Sequence, residues 1–114
     1  MEVVMIVEDE LIIQLDVKLD LEDKGYKVLT ADNCKDALDI VENNNVNYIL
    51  MDINIKGKNN GIVTAEKINE MKKDIPIIYT TANDDMLSSD KHHYIVKKPF
   101  TINDILDIFD EIND

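Results

Sequence analysis

The stretch Val3-Val4-Met5-Ile6-Val7-Glu8-Asp9-Glu10 runs from five consecutive apolar side chains straight into three acids. A short run that is apolar at every position, not at alternate ones, is the pattern of a strand covered on both faces, as in a parallel sheet. Its acidic end marks where such a strand leaves the core. Val46-Asn47-Tyr48-Ile49-Leu50-Met51-Asp52 repeats the arrangement and ends in a single acid.

Strands of the same kind are expected at Lys27-Val28-Leu29-Thr30-Ala31, at Ile75-Pro76-Ile77-Ile78-Tyr79 leading into Thr80-Thr81, and at Tyr94-Ile95-Val96-Lys97. Pro76 is tolerable near a strand start. Between the strands the apolar spacing turns helical. Residues 15–21 alternate apolar and charged, yet a helix over about residues 11–24 is the better reading. Asp and Lys are poor strand formers, Ile12, Leu15 and Leu19 keep helical spacing, and Gly25 stands where a helix end needs a left-handed residue.

Cys34, Ala37, Leu38 and Val41 mark a second helix behind the capping candidates Asp32 and Asn33. Ile62, Ala65, Ile68 and Met71 mark a third, after a loop holding Gly57 and Gly61, whose backbone should be unusual. Residues 85–91 suggest only a weak helix. Ile102, Ile105, Leu106, Phe109 and Ile112 form the cleanest helical face, opened by Thr101 with Asp104 three residues on. β and α thus alternate five times, which implies one parallel sheet with helices on both faces and right-handed crossovers. Residues 1–114 read as a single domain.

The chain has 114 residues, 45% of them hydrophobic, enough for one core. Against 12 basic residues stand 24 acids, a formal net charge of −12. Such a surface repels phosphate backbones, so no direct nucleic-acid binding is expected. No run of about 18 apolar residues and no basic leader is present, which predicts a cytoplasmic protein without membrane insertion. Cys34 is the only cysteine, which excludes an internal disulfide or a thiolate metal cluster.

In doubly wound folds ligands bind beyond the carboxyl ends of the strands. Here those ends carry Glu8-Asp9, Asp52, Thr81 and Lys98. Each alone has an ordinary reading: a helix cap, a turn acid, a turn threonine, a surface charge. Together they describe a site. Three converging carboxylates repel one another unless a cation joins them, and an oxygen-only donor set favours Mg²⁺ first and Mn²⁺ second. Asp52 is then a candidate nucleophile able to form an acyl phosphate, with Lys98 and Thr81 placed to neutralise or bond the phosphoryl oxygens.

These residues resemble the receiver domain of two-component response regulators, the CheY-like family. The likeness rests on Met5-Ile6-Val7-Glu8-Asp9-Glu10, Tyr48-Ile49-Leu50-Met51-Asp52-Ile53, Gly61 opening a helix, Ile77-Ile78-Tyr79-Thr80-Thr81-Ala82 and Lys98-Pro99-Phe100. It implies a flavodoxin-like (βα)5 fold. It implies that Asp9 coordinates Mg²⁺ directly, Glu8 mostly through water, and Asp52 as both ligand and phosphoacceptor, with the backbone carbonyl of Asn54 as a further ligand. Thr81 would bond the phosphoryl group, and Lys98 would pair with it ahead of a cis peptide at Pro99. The donor would be a sensor histidine kinase or a phosphotransfer protein, with autodephosphorylation the only other chemistry. A pseudo-receiver acting as a phosphorylation-independent interaction module, and a receiver cut from a hybrid histidine kinase, are the alternatives.

The family's aromatic switch residue falls three positions before the lysine, which is Ile95 here, while Tyr94 lies one place earlier. Either the chain bulges, with Tyr94 as switch and Lys97 as phosphate partner, or Lys98 is the partner and the aromatic coupling is missing; the adjacency of Pro99 favours Lys98. His92-His93 reads as strand residues and not as a metal or phosphorylation site, because adjacent strand residues face opposite ways.

Overall fold

The computed structural model describes residues 1–72, 74–82 and 94–114. The expected weak helix at 85–91 and the pair His92-His93 lie outside them. In chain order the described elements are β1 (Val3–Val7), α1 (Leu11–Asp23), β2 (Lys27–Ala31), α2 (Cys34–Asn43), β3 (Tyr48–Asp52), α3 (Gly61–Met71), β4 (Ile77–Thr81), β5 (Tyr94–Lys97) and α4 (Ile102–Asn113). The strands form one parallel sheet in the order β2-β1-β3-β4-β5. The order reverses direction beside β1 and β3, so the switch point opens between the two strands that end in acids.

Each strand face has its own core. Met5, Val7, Ile49, Met51 and Tyr79 pack with Ala37 and Val41 of α2 and Ala65 and Ile68 of α3. Val4, Ile6, Tyr48, Leu50, Ile78 and Val96 pack with Val17 and Leu21 of α1 and Ile105 and Phe109 of α4. β3 is buried at all five positions, which is why its sequence shows no alternation. Phe109 stacks on Tyr48 with ring centroids 4.0 Å apart, and the Asn113 side-chain amide donates to the Tyr48 hydroxyl at 2.6 Å. These contacts fasten the end of α4 to the start of β3.

The helix ends follow local chemistry. Thr101 and Asp104 form the reciprocal capping box expected for α4, and the Asn33 and Asn60 side chains accept from backbone N–H groups to cap α2 and α3. Gly25 has φ 97°, a left-handed value that lets the chain turn from α1 into β2. Lys72, just past α3, donates its ammonium to the carbonyls of Val41 (2.7 Å) and Asn44 (3.2 Å) at the end of α2. A cation there satisfies orphan carbonyls and complements the negative helix end.

The helix α1 is as expected, and the residues whose spacing marked it are not the ones it buries. Ile12, Leu15 and Leu19 are 84%, 49% and 55% exposed, while Ile13, Val17 and Leu21 face the core. Apolar residues ring this helix, so their spacing identifies a helix without saying which side turns inward. No described helix is long and apolar enough to cross a membrane.

Candidate functional site

Glu8 follows the last residue of β1 and Asp52 is the last residue of β3; both are buried, at 3% and 4% exposure. Asp9 is one step farther out and half-buried. One carboxylate oxygen from each lies within 4.8 Å of the others. This oxygen-only set on three acids suits a hard divalent cation, and open positions would remain for water or a phosphoryl oxygen.

Lys98 reaches the same point from the far side of the sheet. Its ammonium donates to Glu8 Oε1 at 2.7 Å and lies 3.4 Å from Asp52 Oδ2. Of the two lysines, Lys98 is the one whose ammonium lies on Glu8 and Asp52; Lys97 is exposed and registers against Thr81 at the end of β5. The Lys98-Pro99 bond is cis, as expected, and the Lys98 N–H donates to the Thr81 carbonyl at 2.7 Å. Thr81 ends β4, fully buried. Tyr94 packs with the core under α1 and α4, whereas Ile95 packs on the opposite face.

The charges shift one another. Burial pushes the Glu8 carboxyl above the ordinary range; the Lys98 hydrogen bond pulls it back in part, and the neighbouring Asp52 adds to the rise. Burial acts on Lys98 to lower its affinity for a proton, but hydrogen bonds and charge from Glu8 and Asp52 outweigh it and leave the ammonium more basic than usual.

The backbone around the acids is held by the acids themselves. Asp52 Oδ1 accepts from the Asn54 N–H (3.0 Å), and Asp9 Oδ2 accepts from the Lys56 N–H (2.8 Å). Gly61 donates to the Ile53 carbonyl at 2.9 Å, and a Cβ built on it would lie 2.1 Å from the Asp52 carbonyl oxygen. No side chain fits between α3 and the end of β3. Gly57, in the same loop, has φ 115°.

All the residues expected at the strand ends therefore come together: Glu8, Asp9, Asp52 and Lys98 in direct proximity, with Thr81 and Asn54 at the adjoining ends. Two contributors, Gln14 and Lys56, were not anticipated, and Gly61 was expected to open a helix but not to approach β3 so closely. Gln14 donates its amide to the Glu8 carbonyl (2.9 Å), fixing the turn between β1 and α1. Its signal was available, since it shares helical spacing with Val17 and Leu21. Lys56 acts through its backbone, which no side-chain pattern reveals. The close approach at Gly61 depends on tertiary packing.

A doubly wound sheet in the order 2-1-3-4-5, with an acidic pocket and a buried ammonium at the carboxyl edge, is the architecture of the CheY-like class. The chain belongs to the response regulator receiver domain family, whose model matches residues 4–110. It is 32% identical over 81 residues to the aerobic respiration control protein ArcA of Escherichia coli K12, covering 71% of this chain and 33% of that protein. It is 24% identical over 109 residues to the response regulator MprA of a Mycobacterium species, covering 90% and 46%. The chain thus spans less than half of the length of these relatives.

Among solved structures, the response regulator TrrA of Thermotoga maritima, crystallised in complex with Mg²⁺-BeF, superposes with a TM-score of 0.86. It is 29% identical, with 97% of this chain and 98% of that one covered. The chemotaxis protein CheY4 of Vibrio cholerae shares the fold at a TM-score of 0.87 and 24% identity, over 97% and 98%.

Proposed function

We infer that this receiver accepts a phosphoryl group on the Asp52 carboxylate in a Mg²⁺-dependent reaction. The observation that carries this reading is the meeting of Asp52 with Glu8 and Asp9 within 4.8 Å, with the Lys98 ammonium 3.4 Å from Asp52. The donor is a phosphohistidine on a sensor histidine kinase or a phosphotransfer protein. An Asp52 oxygen forms the new O–P bond as the N–P bond to the donor imidazole breaks; the bonding pair stays on that ring nitrogen, and the ring, already protonated on its other nitrogen, leaves as neutral imidazole.

Asp9 and Asp52 would hold the cation directly, Glu8 mainly through water, and the Asn54 carbonyl would complete the protein's share; Mn²⁺ suits the same set. The cation supplies positive charge against the phosphoryl oxygens. Lys98 exchanges its carboxylate partners for the phosphoryl group, and Thr81 donates its hydroxyl to it. Support for the donor set comes from TrrA, a relative of the same fold that takes up Mg²⁺-BeF.

Leu11, Ile12, Leu15 and Leu19 place an apolar strip on α1, immediately beyond Glu8-Asp9-Glu10. A continuous exposed apolar strip suits a protein contact, and its position suits the incoming donor. Phosphorylation then shifts the population toward a second conformation, and hydrolysis of the acyl phosphate returns it. A cytoplasmic setting follows from a kinase donor.

The test is incubation with acetyl phosphate with and without Mg²⁺, followed by intact mass. One phosphoryl group is expected on the wild type only with the metal, and none on Asp52→Asn. Equal uptake by the variant would remove Asp52 from this role.

A further inference from the structure

All twelve basic residues of the chain are lysines, in a protein of net charge −12. Four of them, Lys35, Lys56, Lys58 and Lys67, line a single groove of about 400 Å³ between the start of α2, the loop after β3 and the outer side of α3. Asp39 is the one acid among the groove's lining residues, and it pairs with Lys35 at 3.1 Å. Lys56, Lys58 and Lys67 form no ion pair with any described acid. Three ammonium groups without an ion-pair partner, against one acid on the lining, set this groove apart from the rest of an acidic surface and favour an anionic ligand.

The rest of the lining adds to this character. Leu38 and Cys34 supply a half-buried apolar floor, and Asn33 and Asn59 supply amide groups at its rim. The volume falls within the roughly 300–1,000 Å³ usual for small-ligand sites. Lysine ammoniums act as rotatable point charges, which suit phosphate oxygens approached from several directions, and the planar fork that recognises carboxylates two at a time is absent from the chain.

We propose that this groove binds a small ligand carrying two or more phosphate groups. The global charge excludes long nucleic acids, because they would extend over acidic surface. A compact polyanion meets only the lysines. The site is separate from the Asp52 pocket, although the loop that carries Lys56 and Lys58 is tied to that pocket through the Lys56 N–H on Asp9.

Pyrophosphate in Mg²⁺-free buffer is the probe, with amide chemical shifts and calorimetry as readouts, so that the outcome does not depend on phosphorylation of Asp52. Saturable binding is expected, with the largest shifts at Asn33, Asn59 and Lys58. The double variant Lys58→Gln/Lys67→Gln should weaken it at least tenfold. The control Lys24→Gln/Lys27→Gln, with exposed lysines outside the groove, should change it less than twofold. All four positions are on the surface, so both variants keep the fold. Three results would overturn the proposal: no saturable binding at millimolar pyrophosphate, equal weakening by the control, or tighter binding of a triglutamate peptide of about the same charge.

Discussion

The Lys98 ammonium sits 2.7 Å from Glu8 Oε1, joining residues ninety positions apart, and both side chains are nearly closed to solvent at 14% and 4% exposure. A pair this buried stabilises little relative to an apolar one, but breaking it is costly because one charge is left alone. Removing Lys98 as Lys98→Met should lower stability by about 3 kcal/mol, the low end for a broken buried pair, since Glu8 can escape by taking up a proton. Chemical denaturation in Mg²⁺-free buffer measures it. Adding Glu8→Gln should recover most of the loss.

Glu8 sets a pH dependence. Burial raises its carboxyl in the folded state above the ordinary carboxylate value, so the folded protein holds this proton more tightly than the unfolded chain. The contribution of Glu8 is therefore fully present below the unfolded value and is lost as pH rises through the folded one. At neutral pH, without Mg²⁺, Glu8→Gln should melt above the wild type, because Lys98 keeps Asp52 as its charged partner. The gap should close as pH falls toward 4.5. A gap that stays constant with pH would contradict the raised carboxyl.

Asp9 is the most accessible of the three acids, and its oxygens face the same point as those of Asp52. Asp9→Asn should weaken Mg²⁺ at least tenfold in a calorimetric titration, because a neutral amide replaces a charged oxygen donor. It should also loosen the loop, since Lys56 loses a charged acceptor. Unchanged Mg²⁺ affinity would take Asp9 out of the ligand set.

Gly61→Ala places a methyl group 2.1 Å from the Asp52 carbonyl oxygen, so the backbone must move. Overpacking of this kind costs about 1–3 kcal/mol, partly offset by the roughly 1 kcal/mol alanine gains over glycine in a helix. The sharper effect should be on chemistry, with slower phosphoryl uptake from acetyl phosphate, because the displaced atom belongs to the phosphoacceptor itself.

The sheet and the acids at its edge were legible because a doubly covered strand leaves an unbroken apolar run, and β1 and β3 both stop at acids. Lys98 could be chosen over Lys97 from its neighbour Pro99, and the ammonium does lie on Glu8 and Asp52. The buried side of α1 was not legible, since a helix apolar on all sides has spacing without direction. The unequal burial of Glu8 and Asp9 was equally hidden. Adjacent letters in sequence, they are separated by the turn that Gln14 fixes.

The apolar strip on α1 has a colloidal consequence. Leu11 and Ile12 are 73% and 84% open to water, and no described residue covers them. Copies of the protein are kept apart by mutual repulsion from a net charge of −12. Acidifying toward the isoelectric point near 4.4, or screening with salt, removes that repulsion while leaving the strip in place. Self-association should therefore begin at α1, and Ile12→Lys should delay it.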